Sequence, residues 1–340
     1  MQLKPGVHIS PKLFQDGLEP DEAKRLFSDY VELVVIEIFS YCNRRCTYCP
    51  VSKVDRLSQN SYMKDELFFR VIDDLKEIQY NKRICLNLYN EPMADPVLYE
   101  RIETIHKHLP EAYLYFNTNG DYLNEDNMKL LSELGVSEIT VTLHHAPGAD
   151  FDDREIFSRY TEFAARIRKR IRFVGFKPGK SFSGVTSYKD LKINVIASNY
   201  SEIGVNRGGT VEIEAKVDRQ WPCRRPFSDF TIYYDGSVFP CCQFFPDLGT
   251  HDEFRADFIR PDRPIYSIFT NSLMSSFRHD LFAHGPKKFP CNECGEALVS
   301  EQPDQIRARA DMKSRLTQGE AIVVSNFSPN AIDWRTNVDE

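Results

Sequence analysis

The chain has 340 residues, 41% of them hydrophobic, and a formal net charge of −7. This is enough apolar material for a full core in one large domain or two, and the acidic balance excludes the global basic field of a nucleic-acid binder. Met1 to Leu13 lacks the apolar core of a signal peptide, and no apolar run approaches the roughly 20 residues that span a bilayer. The expectation is a cytoplasmic protein with no nucleic-acid or membrane partner. Nine cysteines in a compartment that keeps thiols reduced point to metal ligation rather than disulfides.

In chain order, residues 1–33 hold one helix start, Pro20-Asp21-Glu22-Ala23, whose acids suit the positive helix end. They read as a packing extension. Val34 to Phe39 is a short β-branched strand interrupted only by Glu37. The loop that follows carries Cys42, Cys46 and Cys49 at spacing C-x3-C-x2-C. It leaves the C-terminal end of a strand, where α/β folds keep their chemistry. Three thiolates cannot close the four-coordinate shell of a structural zinc site. They do hold three irons of a [4Fe-4S] cluster and leave the fourth open to another ligand.

Helical and strand patterns then alternate. Lys64–Tyr80 has the helix period, Arg83–Tyr89 alternates as a strand, and Val97–Leu109 is a helix. Ala112–Phe116 is a strand, Asn124–Leu134 a helix stopped by Gly135, Glu138–Leu143 a strand, Arg154–Lys169 a helix and Leu191–Ala197 a strand. The Arg166 to Arg172 cluster reads as a solvated helix end, and Phe176–Tyr188, rich in Gly, Ser and Lys, as a loop near a barrel mouth. Repeated strand–helix units argue for a parallel sheet with right-handed crossovers.

The cysteine loop, with the aromatic Tyr48 beside its last thiol, resembles the signature of radical S-adenosylmethionine (SAM) enzymes. The resemblance implies an α/β fold, a partial (β/α)6 barrel over about residues 34–200. It also implies that SAM chelates the open iron and is cleaved to a 5′-deoxyadenosyl radical, with the electron supplied by a flavodoxin- or ferredoxin-type donor. Tyr48 is then expected against the adenine. Asn90-Glu91-Pro92 stands where the family has Gly-Gly-Glu, with Asn90 departing from the pattern; Asn90 and Glu91 are expected at the SAM ammonium. Thr118-Asn119-Gly120 is similar to the family's Thr-Asn-Gly, which makes Asn119 a SAM contact. Thr142 keeps a hydroxyl for the ribose or carboxylate, while His144 replaces an acid and is a candidate base.

A second constellation starts near residue 200 with Asn206-Arg207-Gly208-Gly209. Cys223 follows, then an Asp235-Gly236 hairpin turn ending at Cys241, then Cys291-x2-Cys294. Four thiolates suit either a fully ligated [4Fe-4S] cluster or a zinc ribbon. The pattern behind such a barrel resembles the SPASM/twitch extension, a small C-terminal α+β domain over about residues 201–297 holding one auxiliary [4Fe-4S] cluster. Its cysteine spacing is similar to that of the aminocyclitol dehydrogenases. Cys85, mid-strand, and Cys242, beside a ligand but pointing elsewhere, remain outside both sets. Residues 298–340 form a polar tail with no assigned role.

After hydrogen abstraction a substrate radical loses an electron, regains a hydrogen or rearranges. A fully ligated cluster accepts an electron, which favours oxidation of a small polar molecule, such as a sugar, polyol or aminocyclitol alcohol, to a ketone. A base must take the hydroxyl proton, and Arg207 and His144 are the candidates to orient or deprotonate. The alternatives are a peptide or protein maturase and a redox-neutral epimerase. A non-catalytic metal scaffold is disfavoured by the open iron.

Overall fold

The computed structural model describes residues 7–146, 149–213, 217–296 and 300–324. In order these form β1 (Val7–Ile9), α1 (Pro20–Tyr30), β2 (Leu33–Ile36), α2 (Asp65–Glu77), β3 (Arg83–Cys85), α3 (Val97–His108), β4 (Tyr113–Thr118), α4 (Glu125–Glu133), β5 (Glu138–Thr142) and α5 (Asp153–Arg166). Then come β6 (Arg172–Lys177), β7 (Ser181–Tyr188), β8 (Leu191–Ser198), α6 (Tyr200–Ile203), α7 (Arg225–Ser228), β9 (Asp229–Ile232), β10 (Ser237–Phe239) and β11 (Asp257–Phe258). The last elements are α8 (Ile265–Phe269), α9 (Ser272–Leu281), α10 (Pro303–Thr317) and β12 (Ile322–Val324).

Ten strands make one open sheet in the order β11-β10-β9-β2-β3-β4-β5-β8-β7-β6. From β9 to β8 every neighbouring pair is parallel, and the two flanks are antiparallel. The α/β partial barrel read from the sequence is present. Its barrel region gives five parallel strands, and the sixth, β9, comes from the C-terminal part. The Asp235-Gly236 turn joins β9 to β10 as expected, with Gly236 at φ +83°, a conformation that glycine adopts without cost. The auxiliary-domain hairpin is therefore built onto the barrel's own first strand.

Helix periodicity places the core. Leu67, Phe68, Val71, Ile72 and Leu75 of α2 are all buried, each burial stabilising by roughly 1.5–3 kcal/mol. Asn124 caps α4 by accepting from the amides of Asp126 and Asn127. Arg166 of α5 ties down the turn leading into this cap, donating to the carbonyls of Leu123 and Gly120.

Two stretches differ from the sequence reading. Residues 176–188 are not a loop: they belong to the β6–β7 hairpin, whose Phe176 and Phe182 pack on Phe157 and Tyr160 of α5. The polar tail also has structure, since β12 pairs antiparallel with β1 and α10 is a 15-residue helix. The described part of the N-terminal stretch packs against α9. Arg278 on α9, fully buried, donates to the carbonyls of Leu13, Pro226 and Phe269. Residues 325–340 of the tail lie outside the described residues.

Candidate active site

Cys42, Cys46 and Cys49 face the open interior of the barrel, a cavity of about 2380 Å³. Their loop is clamped from the end of β4. Arg44 binds both oxygens of Asp121 at 2.8 and 2.6 Å, and Asn43 binds the same carboxylate at 2.8 Å. Asn119 Nδ2 donates to Asn43 Oδ1 at 2.7 Å. Behind the loop, Arg56 donates to Glu37 at 2.7 Å and to Asp247 at 2.8 Å. Its guanidinium lies 5.2 and 4.9 Å from the rings of Tyr234 and Phe245. The strand, the cysteine loop and the C-terminal part are thus pinned at one point. Burial pushes the Cys42 thiol up to about 12, with Glu91 and the other two thiols adding to it. Metal ligation here displaces protons.

The strand ends supply the polar rim. Glu91 accepts from Met93 N at 3.1 Å, Thr118 Oγ1 at 2.6 Å and Asn119 N at 2.7 Å. Burial nevertheless raises its carboxyl to about 7. Asn90 is 6% exposed. Its Oδ1 accepts from Leu88 N, which leaves Nδ2 buried without a partner and lining the cavity. That atom is a donor, suited to a carboxylate rather than an ammonium. Tyr48 stacks on Tyr200 at 4.6 Å and its hydroxyl lies 2.6 Å from His144 Nδ1. Thr142 and Ser198 sit beside the Tyr200 phenol. Burial, then the cation of Arg44, lowers His144 to about 3, so its ring is neutral.

The second set converges as well. Cys223, Cys241, Cys291 and Cys294 line one small cavity with Phe244, Phe277 and Leu281. Burial raises Cys291 to about 12, with Cys223 and Cys294 adding to it. Cys242 lines the barrel cavity instead, as does Cys85. Among the described residues no three His, Cys, Asp or Glu gather tightly enough to hold a single metal ion. A four-iron cluster instead spreads its thiolates over separate irons.

Arg207, held at φ +50°, stands between the two cavities. It lies 5.8 Å over the Tyr89 ring and donates to Gln243 Oε1 at 3.1 Å. Gln243 donates to Glu296 at 2.8 Å, and Arg225 holds Glu296 at 2.5 Å and Asp229 at 2.8 Å. Despite burial, the Tyr89 phenol and the Cys49 thiol raise Arg207 further, so it stays charged. The sequence reading missed Asp121, Tyr200, Gln243 and Glu296. Gln243 and Glu296 lie two residues after a ligand cysteine, Asp121 one after Gly120 and Tyr200 two after β8. Adjacency to a ligand or a strand end was the available signal.

Family models match the chain as the radical SAM superfamily over residues 36–201 and as an iron–sulfur cluster-binding SPASM domain over residues 223–295. This chain belongs to the radical SAM superfamily. It is 26% identical, over 83% of its length and 99% of the other protein, to the S-adenosyl-L-methionine-dependent 2-deoxy-scyllo-inosamine dehydrogenase of Niallia circulans. A tungsten-containing aldehyde ferredoxin oxidoreductase cofactor-modifying protein of Pyrococcus furiosus is 28% identical over 35% of this chain and 32% of its own. The crystal structure of BtrN in complex with AdoMet and 2-DOIA shares the fold, with TM-score 0.53 and 24% identity over 74% of this chain and 87% of that one. As a radical SAM oxidoreductase the chain uses SAM and iron–sulfur clusters. The residues fit them: three thiols in a cavity with an unpartnered amide donor, and four around a second, small cavity. Among the described residues no helix is long and apolar enough to cross a membrane.

Proposed function

We propose that this radical SAM enzyme oxidises one alcohol of a small polar molecule, an aminocyclitol or a sugar, to a ketone. The observation that carries the reading is the junction of the two thiol-lined cavities through Arg207, Gln243 and Glu296. The full-length likeness to an aminocyclitol dehydrogenase supports the substrate class.

Residues 34–200 carry the SAM half and 201–297 the auxiliary half. Cys42, Cys46 and Cys49 would hold the cluster that supplies reductive cleavage of SAM, and Cys223, Cys241, Cys291 and Cys294 would hold one suited to accept an electron. Asn90 Nδ2, a buried donor without a partner, would serve the SAM carboxylate. Glu91 and Asn119 hold the rim in shape, and Thr142 lies at the ribose end. Tyr48 offers its ring to the adenine, with its hydroxyl fixed by the neutral His144. Arg207 orients the substrate oxygen. Its fixed charge rules it out as the base, and His144 near 3 is a weak one. Glu296 is kept ionised, since Arg225 outweighs its burial, and both of its oxygens are held, by Arg225 and Gln243. The external electron donor is of flavodoxin or ferredoxin type.

The test is deuterium tracing. 2-Deoxy-scyllo-inosamine labelled at its carbinol carbons is incubated with reconstituted enzyme, SAM and dithionite. Label should appear in 5′-deoxyadenosine with one ketone formed per label transferred. The Cys291→Ala/Cys294→Ala variant, checked for fold by circular dichroism, should make 5′-deoxyadenosine without matching ketone. A folded variant that keeps normal turnover would refute the acceptor role.

A further inference from the structure

Cys223, Arg225 and Glu296 line both the barrel cavity and the auxiliary cavity, so they form the wall between the two. The other auxiliary thiols, Cys241, Cys291 and Cys294, line the auxiliary cavity alone. Cys223 is thus the thiol on the substrate side, and Arg225, two residues on at the start of α7, stands beside it.

Two guanidinium groups border the auxiliary cavity, and they are used differently. Arg219, 1% exposed, donates to backbone carbonyls: Nε to Trp221 at 3.2 Å, Nη1 to Cys294 at 3.1 Å and Glu296 at 2.7 Å, and Nη2 to Pro222 at 2.8 Å. It fastens together the segments that carry Cys223 and Cys294. Arg225 gives Nη1 to Asp229 at 2.8 Å and Nη2 to Glu296 at 2.5 Å, while its Nε is buried and has no partner. A buried N–H donor left without an acceptor is costly, and this one belongs to a residue that borders four sulfurs.

We propose that Arg225 tunes the auxiliary cluster: its Nε serves a cluster sulfur as donor, and its fixed charge raises the cluster's reduction potential. Reduction adds negative charge to a centre already held by thiolates, so a cation and an N–H donor beside it favour the reduced form. A guanidinium is not deprotonated in proteins, which makes the charge permanent. Phe244, Phe277 and Leu281 line the same cavity, and a charge in so apolar a setting is little screened. Glu296 acts in the opposite sense. Its carboxylate, held by Arg225 and Gln243, offsets part of the Arg225 charge, so the pair sets the potential by its balance. The proposal rests on the reading that Cys223, Cys241, Cys291 and Cys294 hold the cluster, and not on which substrate is oxidised.

The experiment is a redox titration followed by electron paramagnetic resonance. It uses anaerobically reconstituted Cys42→Ala/Cys46→Ala/Cys49→Ala protein, in which the auxiliary cluster is the one held. Adding Arg225→Gln should shift that cluster about tenfold towards its oxidised form, a fall of about 59 mV in midpoint. Arg225→Lys keeps the charge but not the Nε donor, and its midpoint should fall less. Glu296→Gln leaves the cation less compensated and should raise the midpoint. Opposite shifts from the two partners of one ion pair are not the product of a loosened fold, which would instead cost iron in both. Unmoved midpoints at unchanged iron content would overturn the proposal, and so would a fall in Glu296→Gln. Should Arg225→Gln lose its iron, Arg225→Lys and Glu296→Gln decide the matter by the same signs. A background protein that holds no iron would overturn the ligand set and the proposal with it. With all seven ligand cysteines present, shifted midpoints at unchanged ketone per 5′-deoxyadenosine would support the tuning and refute the acceptor role.

Discussion

The Tyr48 hydroxyl and His144 Nδ1 are 2.6 Å apart. Because burial lowers His144 to about 3, the imidazole is neutral at working pH and shares this hydrogen bond as an uncharged partner. Its net worth is about 1 kcal/mol, so His144→Ala should weaken SAM binding about fivefold. Equilibrium SAM binding to wild type should show no inflection from His144 between about pH 5 and 8, where the ordinary imidazole titrates. An inflection near pH 6.5 that vanishes in the variant would refute the neutral ring.

Metal content tests the division of the thiols. Anaerobically reconstituted protein should carry about eight irons, two clusters of the four-iron type. The Cys42→Ala/Cys46→Ala/Cys49→Ala variant should keep about four irons and make no 5′-deoxyadenosine. About four irons and one zinc in wild type would contradict the auxiliary cluster and spare the first.

Arg56 is 2% exposed and its partner Glu37 is fully buried. Removing one member of such a pair leaves an uncompensated buried charge, a cost of about 3–5 kcal/mol. Arg56→Ala should therefore lower the apparent Tm sharply and loosen SAM binding, since the same side chain anchors the cysteine loop. The double variant Glu37→Met/Arg56→Met should recover most of the stability. Equal Tm for Arg56→Ala and wild type would show that the pair is not what holds this junction.

Glu91 gives stability a pH dependence. Its carboxyl, at about 7 in the fold against an ordinary 4.5, favours the protonated acid. The contribution is full below about pH 4.5 and lost as pH rises through about 7, a total of about 3 kcal/mol. The apparent Tm of wild type should fall more steeply between about pH 5 and 8 than that of Glu91→Gln. A steeper fall in the variant would reverse the assignment.

The cysteines were legible because cluster chemistry dictates their spacing, and the structure gathers each set on one cavity. Glu37 was visible only as an interruption of an apolar strand. Its partner Arg56 is 19 positions away, and the second partner of Arg56, Asp247, is a further 191 along, which no local period reports. The β6–β7 hairpin was hidden because it is an edge. Phe173 is 47% exposed and Phe176 37%, so its apolar residues do not show the burial that makes a strand pattern clean. In α10 only Arg309 and Leu316 are buried, and a helix with so thin an apolar stripe reads as tail.

The pairing of β1 with β12 has a consequence for biosynthesis. Residues 7–9 are synthesised before residues 322–324, their partners in this ribbon, which follow more than three hundred positions later. The two-stranded ribbon is thus the last part of the sheet structure to close, after every cysteine ligand has been synthesised. Iron–sulfur delivery to the nascent enzyme has that whole interval in which the two strands of this ribbon are still apart.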